Sequence, residues 1–133
     1  MAYVLVCGDR EWDNFEVPRR VLGELPAETI IVHGNCRGAD KIAGQVARYQ
    51  LGLRVIPVPA DWQQYGKAAG AIRNQKMLDD YPISRVIGFH DRFDESKGTK
   101  DMVDRAERAA IPCEVFLSNG ERYYVGNTLP LAP

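Results

Sequence analysis

TIIVHGNCRGADKIAGQVARYQLG, residues 29–52, holds the pattern that decides the fold. Thr29 to His33 is a short continuous apolar run, which suits a strand buried on both faces. Two glycines follow, Gly34 and Gly38. From Gly38 to Leu51 the apolar residues Ile42, Ala43, Val46, Ala47 and Tyr49 recur at helical spacing, and Gly52 stands where a left-handed C-cap is expected. A strand, a glycine turn and a helix in that order are half of a βαβ unit.

The same alternation extends both ways. Tyr3–Cys7, Leu53–Pro57, Arg85–Phe89 and Pro112–Leu117 are further apolar runs of strand length. Between them lie candidate helices from a capping box at Asp13–Glu16 to Leu25, from Ala69 to Asp80 and from Thr99 to Ala110. In the second of these, Ile72, Met77, Leu78 and Tyr81 share a broad face. Pro59–Gly66 is expected to be a loop. After Leu117 the pattern changes: Ser118-Asn-Gly-Glu121 between β-rich runs signals a hairpin closed by a tight turn. The sequence therefore predicts a small Rossmann-like three-layer α/β domain, with a mainly parallel sheet and a C-terminal β-hairpin. A single domain spans residues 1–133, with its core at about 3–117 and the hairpin and tail at 113–133.

The composition is that of an ordinary globular chain. It has 133 residues, 45% hydrophobic and 26% charged, and a formal net charge of −1. Such a balance gives no bulk attraction to nucleic acid or to an anionic membrane. No run approaches transmembrane length, and the first residues lack the basic region of a signal peptide. Three cysteines without CxxC spacing point to a reducing, cytoplasmic compartment.

In an open parallel sheet, ligands sit beyond the carboxyl ends of the strands. Four polar, glycine-rich segments fall there: Gly8-Asp9-Arg10, His33–Asp40, Pro59–Asn74 and His90–Thr99. In the second, Gly34 and Gly38 let the backbone approach a ligand. The helix after them offers free N–H groups and a positive dipole end, Arg37 adds a charged fork, and Asp40, in the first turn, complements the helix dipole or accepts from a ribose hydroxyl. A bare strand-to-helix turn explains the same glycines. In the last, Gly98 precedes Thr99, a good N-cap, with Lys97 and Lys100 alongside. Simple capping with solvated lysines is the alternative, but two such helix starts on one rim favour an anion site.

Within Pro59–Asn74, Lys67 and Arg73 bring charge, and Trp62 or Tyr65 can stack on a base or pin the loop to the core. Arg73 lies on a largely apolar helix face, where a guanidinium needs an anionic partner, in the ligand or as a structural carboxylate. A zinc site drawn from Cys7, His33, Cys36 and His90 lacks any recognised ligand spacing, so no metal is assigned. Cys7 fits better as a small core residue than as a nucleophile, and the two histidines as hydrogen-bonding groups at strand ends.

Gly8-Asp-Arg10, HGNCRGAD, PADW with YGKAAGAIRNQKM, and SKGTKDMVDRA occur here in that order. With them the chain resembles the SLOG superfamily, and most closely its YspA-like branch of small bacterial and phage proteins, from about Val4 to Cys113. The resemblance implies a Rossmann-like fold that binds nucleotides or nucleotide-derived molecules. It makes the Gly34-Asn35-Cys36-Arg37-Gly38-Ala39-Asp40 and Gly98–Thr99 loops the phosphate and ribose cradle, and Arg10, Arg73 and Asn74 further ligand contacts. The enzyme branch, the cytokinin-activating LOG phosphoribohydrolases, cleaves an N-glycosidic bond with an Arg and with a Glu in a Pro-Gly-Gly-x-Gly-Thr-x-x-Glu motif. Arg73 matches that Arg. The motif does not match: Met102 stands where the Glu belongs, and Asp101 is turned away by about 100°.

Two functions follow first. One is binding of a nucleotide-derived ligand as sensor, carrier or sequestering protein. The other is hydrolysis of a nucleoside monophosphate or an ADP-ribose-like compound, with Asp40 or Asp101 assisting Arg73. Single-stranded DNA binding, through a local patch of Arg10, Arg37, Lys67, Arg73, Lys97 and Lys100, is a third and is opposed by the charge balance. No cofactor is called for. A homodimer is expected from the LOG-like relatives, with the apolar tail Leu129–Pro133 as one contact.

Overall fold

A computed structural model describes residues 2–126. Its sheet has six strands: β1 (Tyr3–Gly8), β2 (Ile30–His33), β3 (Arg54–Pro57), β4 (Ile83–Phe89), β5 (Cys113–Phe116) and β6 (Arg122–Val125). Their order is β3-β2-β1-β4-β5-β6, parallel throughout except for β6, which runs antiparallel to β5. The Rossmann-like sheet and the hairpin are thus both present. Gly120, at φ +90, closes the hairpin by donating to the Leu117 carbonyl.

Alternation along each buried strand feeds two cores. Val4, Val6, Ile31, Ile87 and Phe89 face α1 (Glu16–Gly23) and α2 (Ala39–Gln45). Leu5, Cys7, Val32, Val86 and Val115 face α4 (Ala69–Asp80) and α5 (Gly98–Arg108), which contribute Met77, Met102, Val103 and Ala106. Helices on both faces of one sheet make the three layers.

Several local expectations shift. The α1 cap is not an Asp13–Glu16 box: the Asn14 side chain accepts the Val17 N–H at 2.8 Å. The second helix does not stay α-helical to Leu51. It widens into a π turn over Val46–Gln50, marked by Leu51 N–H donating to the Val46 carbonyl, before Gly52 ends it at φ +67. The extra residue in that turn swings Tyr49 off the apolar side, and it is 77% exposed. Pro59–Gly66 is not all loop. Asp61 caps a single turn, α3 (Trp62–Tyr65), through the Gln64 N–H at 3.1 Å, and a 3-10 turn over Gly66–Ala68 leads into α4. On α4 itself Ile72 is exposed, and the buried stripe runs through Ala69, Arg73, Asn74 and Met77.

The order places β1 beside β4 at the centre. Their connections leave in opposite directions, to β2 on one side and to β5 on the other. That is a topological switch point, and a crevice opens above the carboxyl ends of the two strands. No helix among the described residues is long and apolar enough to cross a membrane. The tail Leu129–Pro133 lies outside the described residues.

Candidate functional site

The crevice is a cavity of about 300 Å³, walled by the ends of β1 and β4, the loop after β2, the buried face of α4 and the start of α5. It gathers Gly8, Asp9, Arg10, Gly34, Arg37, Asp40, Arg73, Asn74, Lys97, Gly98 and Thr99 from segments far apart in sequence. A shallower compartment of about 400 Å³ adjoins it, sharing Arg10, Gly34, Arg37 and Arg73 and adding Asn35 and Trp62. Cys7, Glu11, Cys36, Met77, His90, Ser96 and Met102 also line the first cavity. Glu11, Met77 and Ser96 are lining residues that the sequence pattern does not single out.

Arg73 is the central group. It projects from the buried face of α4 and is only 9% exposed. Its Nη1 donates to the Gly34 carbonyl at 2.5 Å and its Nε to Asn74 Oδ1 at 3.0 Å. No carboxylate among the described residues lies within ion-pairing distance of it. The anionic partner expected of this arginine is therefore not a structural salt bridge.

The two helix starts are not equivalent. At α2 the protein answers part of its own donors: Ala39 N–H goes to the Asp9 carbonyl at 3.0 Å, and Cys36 N–H to Asp40 Oδ2 at 3.2 Å. Asp40 is 5% exposed, and burial lifts its pKa to about 6 against the pull of the Cys36 N–H and the Arg73 charge. Gly38, at φ +77, does not itself line the cavity. It lets α2 pass so close to the Asp9 and Arg10 carbonyls that any Cβ would strike them.

At α5 the cap is Ser96, whose Oγ accepts the Lys100 N–H at 3.1 Å. Thr99 is not the N-cap: it sits inside the first turn, 6% exposed. The Gly98 and Thr99 N–H groups find no acceptor among the described residues. They stand on the cavity wall beside Lys97, so this helix start keeps free donors where the first spends several of its own.

Asn74 joins the two halves. Its Nδ2 donates to Asp101 Oδ2 at 2.9 Å and its Oδ1 accepts from Arg73. Asp101 also takes the Arg105 Nε–H at 2.9 Å and does not line the cavity. Partial burial raises the Asp101 pKa, but the hydrogen bonds from Arg105 and Asn74 outweigh that and hold it below the ordinary carboxylate value. Arg37 leans out to Glu11 at 2.5 Å, both side chains well exposed. Trp62 is 51% exposed beside the shallow compartment, its indole against Gly70. Lys67 is exposed and lines neither compartment.

Each histidine is hydrogen-bonded at its strand end through one ring nitrogen, Nδ1. His33 Nδ1 accepts the Asn35 N–H and His90 Nδ1 the Arg92 N–H, each at 2.9 Å. Among the described residues no group of three or more His, Cys, Asp or Glu is arranged to hold a metal ion. The Cys7 thiol is pushed well above its ordinary pKa, mainly by burial, so it is a poor nucleophile.

Comparison with known proteins gives the chain's family. The family YAcAr, described as the YspA, cpYpsA-related SLOG family, matches residues 2–65. The Gene 61 protein of Mycobacterium phage D29 is similar along nearly its whole length: 36% identical over 123 residues, covering 84% of this chain and 94% of the phage protein. The chain belongs to the YspA, cpYpsA-related SLOG family.

Proposed function

We propose that the protein binds a nucleotide or nucleotide-derived small molecule in the switch-point crevice, acting as a sensor, carrier or sequestering protein. The observation that carries this reading is Arg73, a nearly buried guanidinium on the cavity wall with no carboxylate paired to it among the described residues. A buried charge is costly unless it is paired, and an anionic ligand completes it. The free N–H groups of Gly98 and Thr99 supply the phosphate end, with Lys97 beside them. Asn35, Gly8, Asp9 and Arg10 border the ribose, and Trp62 offers a face to the base.

The test is to incubate the purified protein with a cellular nucleotide pool, recover it, denature it and identify what is released by mass spectrometry. A species released intact from wild type and absent from Arg73→Gln supports a binder. Release of the same species from both proteins sinks the role of Arg73.

Asp40 favours a second reading, hydrolysis of an N-glycosidic bond. It is a carboxyl on the cavity wall with a pKa of about 6, suited to moving a proton near neutrality. Asp101, tied to Asn74 and Arg105 away from the cavity, is the weaker candidate. Free base appearing with wild type and not with Asp40→Asn, which still binds, would establish this reading. No turnover by wild type would end it.

A further inference from the structure

A smaller pocket of about 230 Å³ lies behind the loop after β2, between the second helix and the edge strand β3. We infer that it is a second anion site, separate from the crevice, for a phosphate monoester whose body is no larger than a sugar. Its lining includes His33, Lys41, Gly44, Arg48 and Tyr49 and, among the described residues, contains no carboxylate. Neither Lys41 nor Arg48 has an ion-pair partner among the described residues.

His33 supplies the directional donor. Its ring is 4% exposed, and Nδ1 accepts the Asn35 N–H. A neutral imidazole that accepts at Nδ1 carries its proton at Nε2, which has no acceptor among the described residues. Gly44 lets the helix pass close to that nitrogen, since a Cβ there would lie 2.7 Å from Nε2 and close its side of the pocket. The π turn over Val46–Gln50 sets Arg48 and the exposed Tyr49 at the mouth. Two cations unpaired among the described residues and one N–H donor, with no acid in the described lining, form a receptor for a doubly charged oxyanion. At about 230 Å³ the pocket is of a size for phosphate with a ribose.

The pocket shares a wall with the front site. Asn35 lines both this pocket and the shallow compartment, and its backbone, at φ +59, is the one hydrogen-bonded to His33. An anion held at Nε2 is thus one residue removed from the loop that receives Arg73.

The test is an NMR titration of wild type, Lys41→Gln/Arg48→Gln and Arg73→Gln with inorganic phosphate and with ribose 5-phosphate. The expected result is a saturable shift of the His33 ring and Gly44 amide resonances. It should survive in Arg73→Gln and weaken at least about tenfold in the double variant. Ribose 5-phosphate should saturate the site more tightly than inorganic phosphate, and an equal response to both would overturn the monoester as its occupant. Shifts that fail to saturate, that persist undiminished in the double variant or that vanish in Arg73→Gln would overturn the second site. A well-dispersed spectrum of each variant shows that it is folded.

Discussion

The Gly34 carbonyl accepts the Arg73 Nη1–H at 2.5 Å, and a Cβ on Gly34 would lie 2.6 Å from that same nitrogen. Carbonyl and guanidinium thus fit only because position 34 carries no side chain. Gly34→Ala should leave the fold intact, because Gly34 has no positive φ to lose and only a side chain must move. Ligand binding should weaken by about 10- to 100-fold, the range for losing one or two charged hydrogen bonds. Calorimetric titration with the ligand identified by mass spectrometry, beside a thermal melt, checks this. Unchanged affinity would mean that Arg73 is not a ligand contact.

Asn74 couples α4 to α5 through Asp101 and at the same time orients Arg73. Asn74→Ala and Asp101→Asn should each lower stability, and a double-mutant cycle should give a coupling of about 1 kcal/mol. Asp101→Asn should leave ligand affinity within a few-fold of wild type, because the carboxylate lies off the cavity wall. Urea denaturation of the four proteins measures the coupling. A value indistinguishable from zero would make the Asn74–Asp101 contact incidental.

These contacts mark what could be read from sequence and what could not. The alternation of apolar runs, the left-handed Gly52 and the hairpin glycine are local signals, and each appears in the fold. The crevice was legible because strand order in a parallel sheet brings loop ends to one rim. Which donors remain free depends instead on side chains returning across turns. Asp40 bends back to Cys36, and Ser96 rather than Thr99 caps α5. A serine four residues before Lys100 and an aspartate three before Gln64 were the signals available for the α5 cap and for α3. Nothing in helical periodicity foretold the π turn that exposes Tyr49, since one extra residue shifts the face by about 100°.

In β5 of the C-terminal hairpin, Glu114 is fully buried and ion-paired with Arg85, while Arg122 approaches it at 3.5 Å. Breaking a buried pair leaves the partner charge uncompensated, so Glu114→Ala should cost about 3–5 kcal/mol. Arg122→Ala, at a side chain 46% exposed, should cost no more than about 1 kcal/mol. Denaturant midpoints of the two variants give the comparison. Equal losses would mean that the pair with Arg85 contributes little to holding β5.

His33 and Asp40 should shape the pH dependence of stability in opposite senses. Burial, with the charges of Arg48, Arg73 and Lys41, lowers the His33 pKa from 6.5 to about 4. Between those values the unfolded chain binds more protons than the folded one, so stability falls as pH drops from 6.5 to 4. The Asp40 pKa rises from 3.8 to about 6, so over that interval the folded protein holds the extra proton and stability falls as pH climbs. From about pH 4 to 6 these two effects largely cancel. Asp40→Asn removes one of them, and relative to wild type its stability should gain a positive slope of up to about 1.4 kcal/mol per pH unit in that window. His33→Asn, which retains an acceptor near the Nδ1 position, should show the opposite slope. Urea unfolding at pH 4, 5, 6 and 7 measures both differences. If Asp40→Asn tracks wild type in parallel, the Asp40 carboxyl is not held protonated in the fold, and the proton-transfer role proposed for it goes with it.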